Sequence, residues 1–100
     1  MIVTGGENVS SLEVEQCLHQ HPDVEDVAVI AVPDERWGET VKALVVLRDG
    51  APFDGRELTE FCRLRLAHFK CPTSVEERAT LPRTATGKLQ KYVLRREYWS

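Results

Sequence analysis

The chain has 100 residues, of which 42% are hydrophobic and 29% charged, and its formal net charge is −3. This composition predicts one soluble globular domain, and no apolar run approaches the roughly 20 residues that cross a bilayer. The first residues lack the basic and apolar regions of a secretory signal. Three cysteines without a pairing pattern favour a reducing, cytoplasmic location.

The charges are distributed unevenly along the chain. Residues 1–60 contain 13 acidic and 4 basic side chains, whereas residues 61–100 contain 9 basic and 3 acidic side chains. This difference in charge has two interpretations, which remain open. The solvated helix faces of the two halves could simply differ in sign, or the basic second half could bind phosphates such as those of ATP or CoA. We expect no nucleic-acid partner, because the basic half lacks interleaved aromatic residues and any known binding module.

The first elements in chain order are a hairpin and a capped helix. Ile2-Val3-Thr4 is a short apolar segment that Gly5-Gly6 interrupts, a pattern typical of a small hairpin. Ser10 and Glu13 have the spacing of a capping box, which predicts a helix over residues 11–19.

Two longer strands are predicted next. The continuous apolar run at 27–32, bounded by Pro33, predicts a central strand. Residues 40–47 are apolar on both faces and predict a strand covered on both sides. The short connection between the two segments predicts an antiparallel pair.

The last third of the chain predicts two helices around a short strand. Asp54 and Glu57 again have capping-box spacing and open a helix to about residue 68. A short strand at 73–76 follows, and a final helix begins near Lys88 or Leu89 and runs toward Tyr98. The predicted fold is a single α+β domain, in which a central antiparallel three-stranded sheet is flanked by helices and an N-terminal hairpin is added.

One lysine occurs in an unusual context. Lys88 follows Gly87 in the segment that begins Leu81-Pro82-Arg83-Thr84-Ala85-Thr86, and it is predicted to lie on a short polar loop before a helix, where it can extend toward an anion. The segment is not a mononucleotide-binding P-loop, because Pro82 stands where that motif needs glycine and Leu89 where it needs Ser or Thr. From the residues alone, a solvated surface lysine is the commoner interpretation.

A second motif lies near the N-terminus, in Thr4-Gly5-Gly6-Glu7-Asn8-Val9. Glycines without side chains let a ligand approach the backbone closely. From the residues alone, a plain hairpin turn before a capped helix is the commoner interpretation.

Together, the two motifs resemble those of the C-terminal domain of adenylate-forming (AMP-binding) acyl-CoA synthetases, or fatty-acid–CoA ligases. The segment ending at Lys88 is similar to the family's Pro-Arg-Thr-x-Thr-Gly-Lys, and the N-terminal motif to Gly-Gly-Glu-Asn-(Ile/Val). The resemblance implies that Lys88 is catalytic in adenylation, between the substrate carboxylate and ATP. It also implies substrate- and cofactor-binding roles for Gly5, Gly6, Glu7, Asn8, Thr86 and Gly87, the glycine loop lying beside the pantetheine arm of CoA.

The resemblance further implies a place in a larger enzyme. Residues 1–100 would form the mobile C-terminal lid, with the N-terminal domain and hinge outside this chain, and the chain alone would be inactive. The partners would be that N-terminal domain, ATP, a carboxylic acid and CoA. Mg²⁺ would accompany ATP, bound mainly by the other domain, and this chain would bind no cofactor tightly.

Two alternatives remain open. The chain could be the lid of an adenylation domain that loads a carrier protein instead of CoA. It could also be a stand-alone, non-catalytic module that binds a nucleotide, CoA or a protein.

We predict no metal site. Two groups of candidate ligands occur, neither with a complete four-ligand spacing. The groups are Cys17, His19 and His21, and Cys62, His68 and Cys71.

Overall fold

The computed structural model of the chain describes residues 1–99. Its elements are five strands, three α-helices and one 3-10 turn. In chain order they are β1 (Ile2–Thr4), β2 (Glu7–Val9), α1 (Ser11–His19), β3 (Val24–Asp34), β4 (Gly38–Leu47), α2 (Gly55–Arg63), the 3-10 turn (His68–Lys70), β5 (Ser74–Glu77) and α3 (Lys91–Arg95).

The strands form one sheet around the β3–β4 hairpin. The order is β2-β1-β4-β3. Strand β5 also pairs with β4, farther along β4 than its pairing with β1. The N-terminal hairpin joins through the pair Thr4–Gly38. The predicted α+β class, with its hairpin, is confirmed. One detail differs, because β5 runs parallel to β4; the connection between them contains α2, and such crossovers produce parallel pairs.

Both faces of the sheet are buried, which explains the nearly continuous apolar sequence of β3. Val27, Val29 and Ala31 point to one face and pack in the cluster that contains residues of α1 and α2. Ala28 and Ile30 point to the other face. The cluster there also includes Leu44, Val46, Leu81 and Leu94, the last from α3.

The outer edge of β3 is covered by side chains from α1 and from the segment that follows α3. The Val29 N–H donates to Glu15 Oε2 at 2.8 Å, and Trp99 Nε1 donates to the Ala31 carbonyl at 2.8 Å. Pro33 lies on the same edge, where its missing N–H costs no ladder bond. These partners leave β3 a poor template for pairing with another chain.

The predicted caps form, but two helices are shorter than predicted. Ser10 Oγ accepts from the Glu13 N–H at 3.3 Å, and Asp54 Oδ1 accepts from the Glu57 N–H at 3.2 Å. The prediction that α2 reaches residue 68 is wrong, since α2 ends at Arg63 and the chain turns before the 3-10 turn. Within residues 1–99, no helix has the length and apolarity that crossing a membrane requires.

The start of α3 was also predicted wrongly. Lys88 is not at the first turn of a helix, because its neighbour Leu89 pairs with Arg83 in an isolated antiparallel bridge. The helix begins only at Lys91. Lys88 therefore lies on a loop, as predicted, and only the start of the helix after it differs.

Candidate functional site

The loop that carries Lys88 is closed by its own backbone hydrogen bonds. The Thr84 N–H donates to the Lys88 carbonyl at 2.8 Å, and the Gly87 N–H donates to the Thr84 carbonyl at 2.9 Å. The Lys88 N–H donates to Thr84 Oγ1 at 3.0 Å. Gly87 has a φ of 89°, a conformation that side chains disfavour. The loop thus holds the Lys88 backbone in one place.

The Lys88 ammonium differs from the other three lysines in having no ion-pair partner among residues 1–99. Its side chain is exposed. The others are paired at N···O distances of 2.6–3.6 Å, as Lys42–Glu76, Lys70–Glu13 and Lys91–Glu15. An extended ammonium without a carboxylate partner is available to an anionic ligand.

The groups around Lys88 are hydroxyls and a neutralised guanidinium. Thr84 Oγ1 and Thr86 Oγ1 lie 3.0 Å apart. Arg83 Nη2 lies 2.6 Å from Asp26 Oδ2, and its Nη1 donates to the Gly87 carbonyl at 2.7 Å. This set suits phosphate or carboxylate oxygens. It does not suit Mg²⁺, which prefers carboxylate ligands, because Asp26 is already engaged.

Helix α3 is tied to α1 immediately after the loop. Lys91 Nζ lies 2.6 Å from Glu15 Oε2 and 3.2 Å from Ser11 Oγ. The same Glu15 oxygen accepts the Val29 N–H. The segment after Lys88 is therefore fixed to both a helix and the sheet.

A second set of polar contacts fixes the other end of α3. Arg78 donates to Glu97 at 2.8 and 3.1 Å, to Tyr98 Oη at 2.9 Å and to Glu76 at 2.7 Å. Burial opposes ionisation of Glu76, but hydrogen bonds from Tyr98 and Arg78 outweigh it and lower the pKa of its carboxyl. The hydrogen bonds to Glu97 are the main cause of the raised pKa of Arg78.

The two glycines of the N-terminal motif have different surroundings. The Gly5 N–H donates to the Trp37 carbonyl at 3.0 Å, and a Cβ on Gly5 would lie 2.8 Å from Trp37 Cε3. A Cβ on Gly6 would meet nothing within 4 Å. Both have positive φ, at 56° and 86°. Gly5 is thus required by the packing of Trp37, whereas Gly6 presents open backbone; Glu7 and Asn8 beside it are exposed.

A cleft of about 490 Å³ adjoins the glycine loop. Its lining includes Gly5, Glu7, Trp37, His68 and Phe69. Trp37 is 48% exposed and Phe69 40%. The sequence did not indicate this cleft, because its lining comes from three segments that lie far apart along the chain.

The two motifs lie near opposite ends of the β3–β4 hairpin. Arg83 anchors the Lys88 loop at Asp26, near the start of β3. Gly5 is bonded to Trp37, in the turn that follows Asp34. At about 3.4 Å per residue, the eight residues from Asp26 to Asp34 along β3 span roughly 27 Å.

The histidine that sequence analysis weighed as a metal ligand is engaged by the protein. His21, Asp23 and Glu57 come together, but both ring nitrogens of His21 have partners. Nε2 lies 3.0 Å from Glu57 Oε1, and Nδ1 accepts the Asp23 N–H at 3.1 Å. The ring also packs edge-on against Phe61, so His21 links the end of α1 to α2.

Comparison with known proteins gives one family and many ligases. The model of the AMP-binding enzyme C-terminal domain matches residues 13–88. The chain is 53% identical over 97 residues to 4-hydroxybutyrate–CoA ligase 2 of Metallosphaera sedula, covering 97% of this chain and 18% of that protein.

Two solved structures also match this chain, in fold as well as in sequence. Mycobacterium tuberculosis fatty acyl CoA synthetase superposes with a TM-score of 0.92 at 43% identity, covering 98% of this chain and 19% of that one. ATP bound MatB from Rhodopseudomonas palustris superposes with a TM-score of 0.92 at 41% identity, covering 96% and 19%. The chain therefore spans about a fifth of the length of the proteins it matches.

Proposed function

The chain belongs to the AMP-binding enzyme C-terminal domain family, and from this premise we propose that it is the C-terminal lid domain, residues 1–100, of an acyl-CoA synthetase. The enzyme activates a carboxylic acid with ATP to an acyl adenylate and transfers the acyl group to CoA. The observation that carries this proposal is the exposed ammonium of Lys88, unpaired among residues 1–99, on a loop closed by hydrogen bonds.

Lys88 acts in adenylation. The attacking carboxylate and the α-phosphate of ATP are both negative, so a cation between them stabilises their approach and the charge that develops on the phosphoryl oxygens. The Thr86 hydroxyl and the Gly87 backbone complete the binding surface. The role needs no proton transfer, only a correctly placed charge.

The glycine loop acts in thioester formation. The open backbone at Gly6 lets the pantetheine arm pass without meeting a side chain. Glu7 and Asn8 border this path. The cleft beside Gly5 binds the portion of CoA that lies outside the path. Trp37 and Phe69 supply apolar walls there.

The remaining components belong to the larger N-terminal domain, which is the partner of this chain. The acyl pocket and most ATP contacts lie there, and so does the Mg²⁺ that screens the phosphate charges. Because the two motifs are anchored near opposite ends of the β3–β4 hairpin, a rotation of the lid presents one or the other to the same active site. The 100-residue chain alone is expected to be inactive.

The proposal is tested by measuring the half-reactions separately in the full-length protein. In Lys88→Ala, ATP–pyrophosphate exchange should fall by about 10²–10³-fold, the effect of removing one strong electrostatic stabiliser. Thioester formation from supplied acyl adenylate should stay within about twofold of the wild type.

Lys70→Ala is the matched control, because that lysine is paired with Glu13 and should leave pyrophosphate exchange unchanged. Equal losses in both half-reactions of Lys88→Ala would contradict the division of labour. Comparing CoA with a carrier protein as acceptor decides between the two branches of the family.

A further inference from the structure

Arg83 connects the sheet to the peptide bond immediately before Lys88. Its Nη2 lies 2.8 and 2.6 Å from the two carboxylate oxygens of Asp26, which is 57 residues away in sequence. Its Nη1 donates to the carbonyl of Gly87 at 2.7 Å. One guanidinium therefore links β3 to the loop.

The Gly87–Lys88 peptide is held from both sides. Arg83 fixes its carbonyl, and the N–H of the same peptide donates to Thr84 Oγ1 at 3.0 Å. Because a peptide unit is planar, holding both groups fixes the direction in which the Lys88 side chain leaves the backbone. Gly87, at φ 89°, needs such support since it has no side chain to restrict it.

Asp26 is a firm anchor for this contact. Asp26 pairs with Val46 of β4 near the start of β3, directly after a register shift between Val24 and Asp26. Its Oδ1 also accepts the Val27 N–H at 2.9 Å, and its side chain is 23% exposed, compared with 41% for Arg83. Asp26 also neutralises Arg83, so the ammonium of Lys88 does not compete with a second free cation beside it.

We propose that Arg83, held by Asp26, is a positioning residue for adenylation: it orients the Gly87–Lys88 peptide so that the ammonium meets the reacting carboxylate and phosphate. This inference rests on the proposed catalytic role of Lys88. Arg83 touches neither substrate. It acts through the backbone, and thioester formation, which uses the other end of the β3–β4 hairpin, does not depend on it.

The test compares Arg83→Met, Asp26→Asn and the double variant in the full-length protein. A misplaced catalytic group costs up to about 10²-fold in rate, so we expect pyrophosphate exchange to fall by roughly 10–100-fold in kcat with KM for ATP little changed. Thioester formation from supplied acyl adenylate should stay within about twofold. Since the two residues act through one contact, the double variant should be no slower than Arg83→Met.

Glu60→Gln is the matched control, because it breaks an exposed carboxylate–arginine pair of 3.1 Å on α2, remote from the loop. Arg83→Lys keeps the charge toward Asp26 but cannot reach both partners, and should give an intermediate rate. If Arg83→Met unfolds, Asp26→Asn, the milder change, decides.

Parallel losses in both half-reactions would mean a merely structural role and would overturn the inference, as would exchange rates equal to those of Glu60→Gln. Lys88→Ala, measured in the same assays, distinguishes a failure of this inference from a failure of the proposed function. If pyrophosphate exchange is slow in Lys88→Ala but normal in Arg83→Met and Asp26→Asn, only the positioning role is refuted. If exchange is normal in Lys88→Ala, the proposed function is refuted and this inference with it.

Discussion

At the scale of single residues, the local environment decides which members of each motif can act on a ligand. The N-terminal motif contains two adjacent glycines with positive φ, yet only Gly6 has open space where a side chain would stand. Gly5 is required by Trp37. The residues of the Lys88 loop differ in the same way. Gly87 and Thr84 shape the backbone, whereas Lys88 carries a charge that has no ion-pair partner among residues 1–99.

The role of Gly6 can be separated from backbone strain. Gly6→Leu should lower thioester formation at least about tenfold, because the leucine blocks the path of pantetheine, while leaving pyrophosphate exchange intact. Leucine at a positive φ also costs roughly 1–2 kcal/mol of stability. The measurements are the two half-reactions and the free energy of unfolding.

Gly50→Leu supplies the matched control. Gly50 has a φ of 82°, close to the 86° of Gly6, and likewise has nothing within 4 Å of its Cβ position. It lies in the turn after β4, so this variant should lose similar stability and no activity. Equal activity in the two variants would contradict the role of Gly6.

At the scale of elements, α3 is short but strongly anchored. A five-residue helix has little stability of its own, so side-chain contacts hold it in place. Lys91 binds Glu15 at one end, and Arg78 binds Glu97 and Tyr98 at the other. Since α3 directly follows the Lys88 loop, these contacts extend the support of the loop on its C-terminal side.

The anchoring of α3 should weaken in acid. The pKa of Glu76 is lower in the folded protein than in the unfolded chain, the hydrogen bonds from Tyr98 and Arg78 outweighing the effect of burial. Its contribution to stability is therefore complete above the ordinary glutamate pKa of about 4.3 and is lost as the pH falls through the lowered value. Thermal unfolding between pH 7 and 3 should show a smaller acid-induced fall in Tm for Glu76→Gln than for the wild type.

Glu35→Gln changes an exposed carboxylate in the turn after β3 and should keep the wild-type pH dependence. If Glu76→Gln kept it as well, the acid sensitivity would arise elsewhere in the protein.

At the scale of the whole molecule, the two motifs lie near opposite ends of a hairpin whose two faces are both buried. All three cysteines, Cys17, Cys62 and Cys71, are buried beneath the face of the sheet that α1 and α2 cover. Burial is the main cause of the raised pKa of the Cys62 and Cys71 thiols, and the neighbouring Cys17 raises both further.

These thiols should report global unfolding. Only thiolates react with iodoacetamide at useful rates, so in the native protein at pH 8 alkylation should be more than about 100-fold slower than in denaturant. An Asp49→Cys variant, with a cysteine in the exposed turn after β4, calibrates the rate of an accessible thiol. Rapid alkylation of the native wild-type protein would mean that the α1–α2 layer opens locally.

Local patterns in the sequence predicted most of the fold. The caps at Ser10 and Asp54, the glycine interruption at Gly5-Gly6 and the apolar run in β3 each depend on residues within about five positions of one another. The same patterns failed at helix ends. The pairing of Leu89 with Arg83 and the turn after Arg63 compete with helical periodicity, and no local signal announced them.

The sequence by itself determined the family, most of the elements and the two motifs, because each of these is encoded by residues that lie close together along the chain. Only the tertiary structure decided which lysine is free, which glycine is open and where the cleft lies. The physical reason is that partners are chosen in space: Glu13 neutralises Lys70, and Asp26 binds Arg83, each across 57 residues. An ion pair or a steric contact between distant segments exists only once the sheet has brought them together.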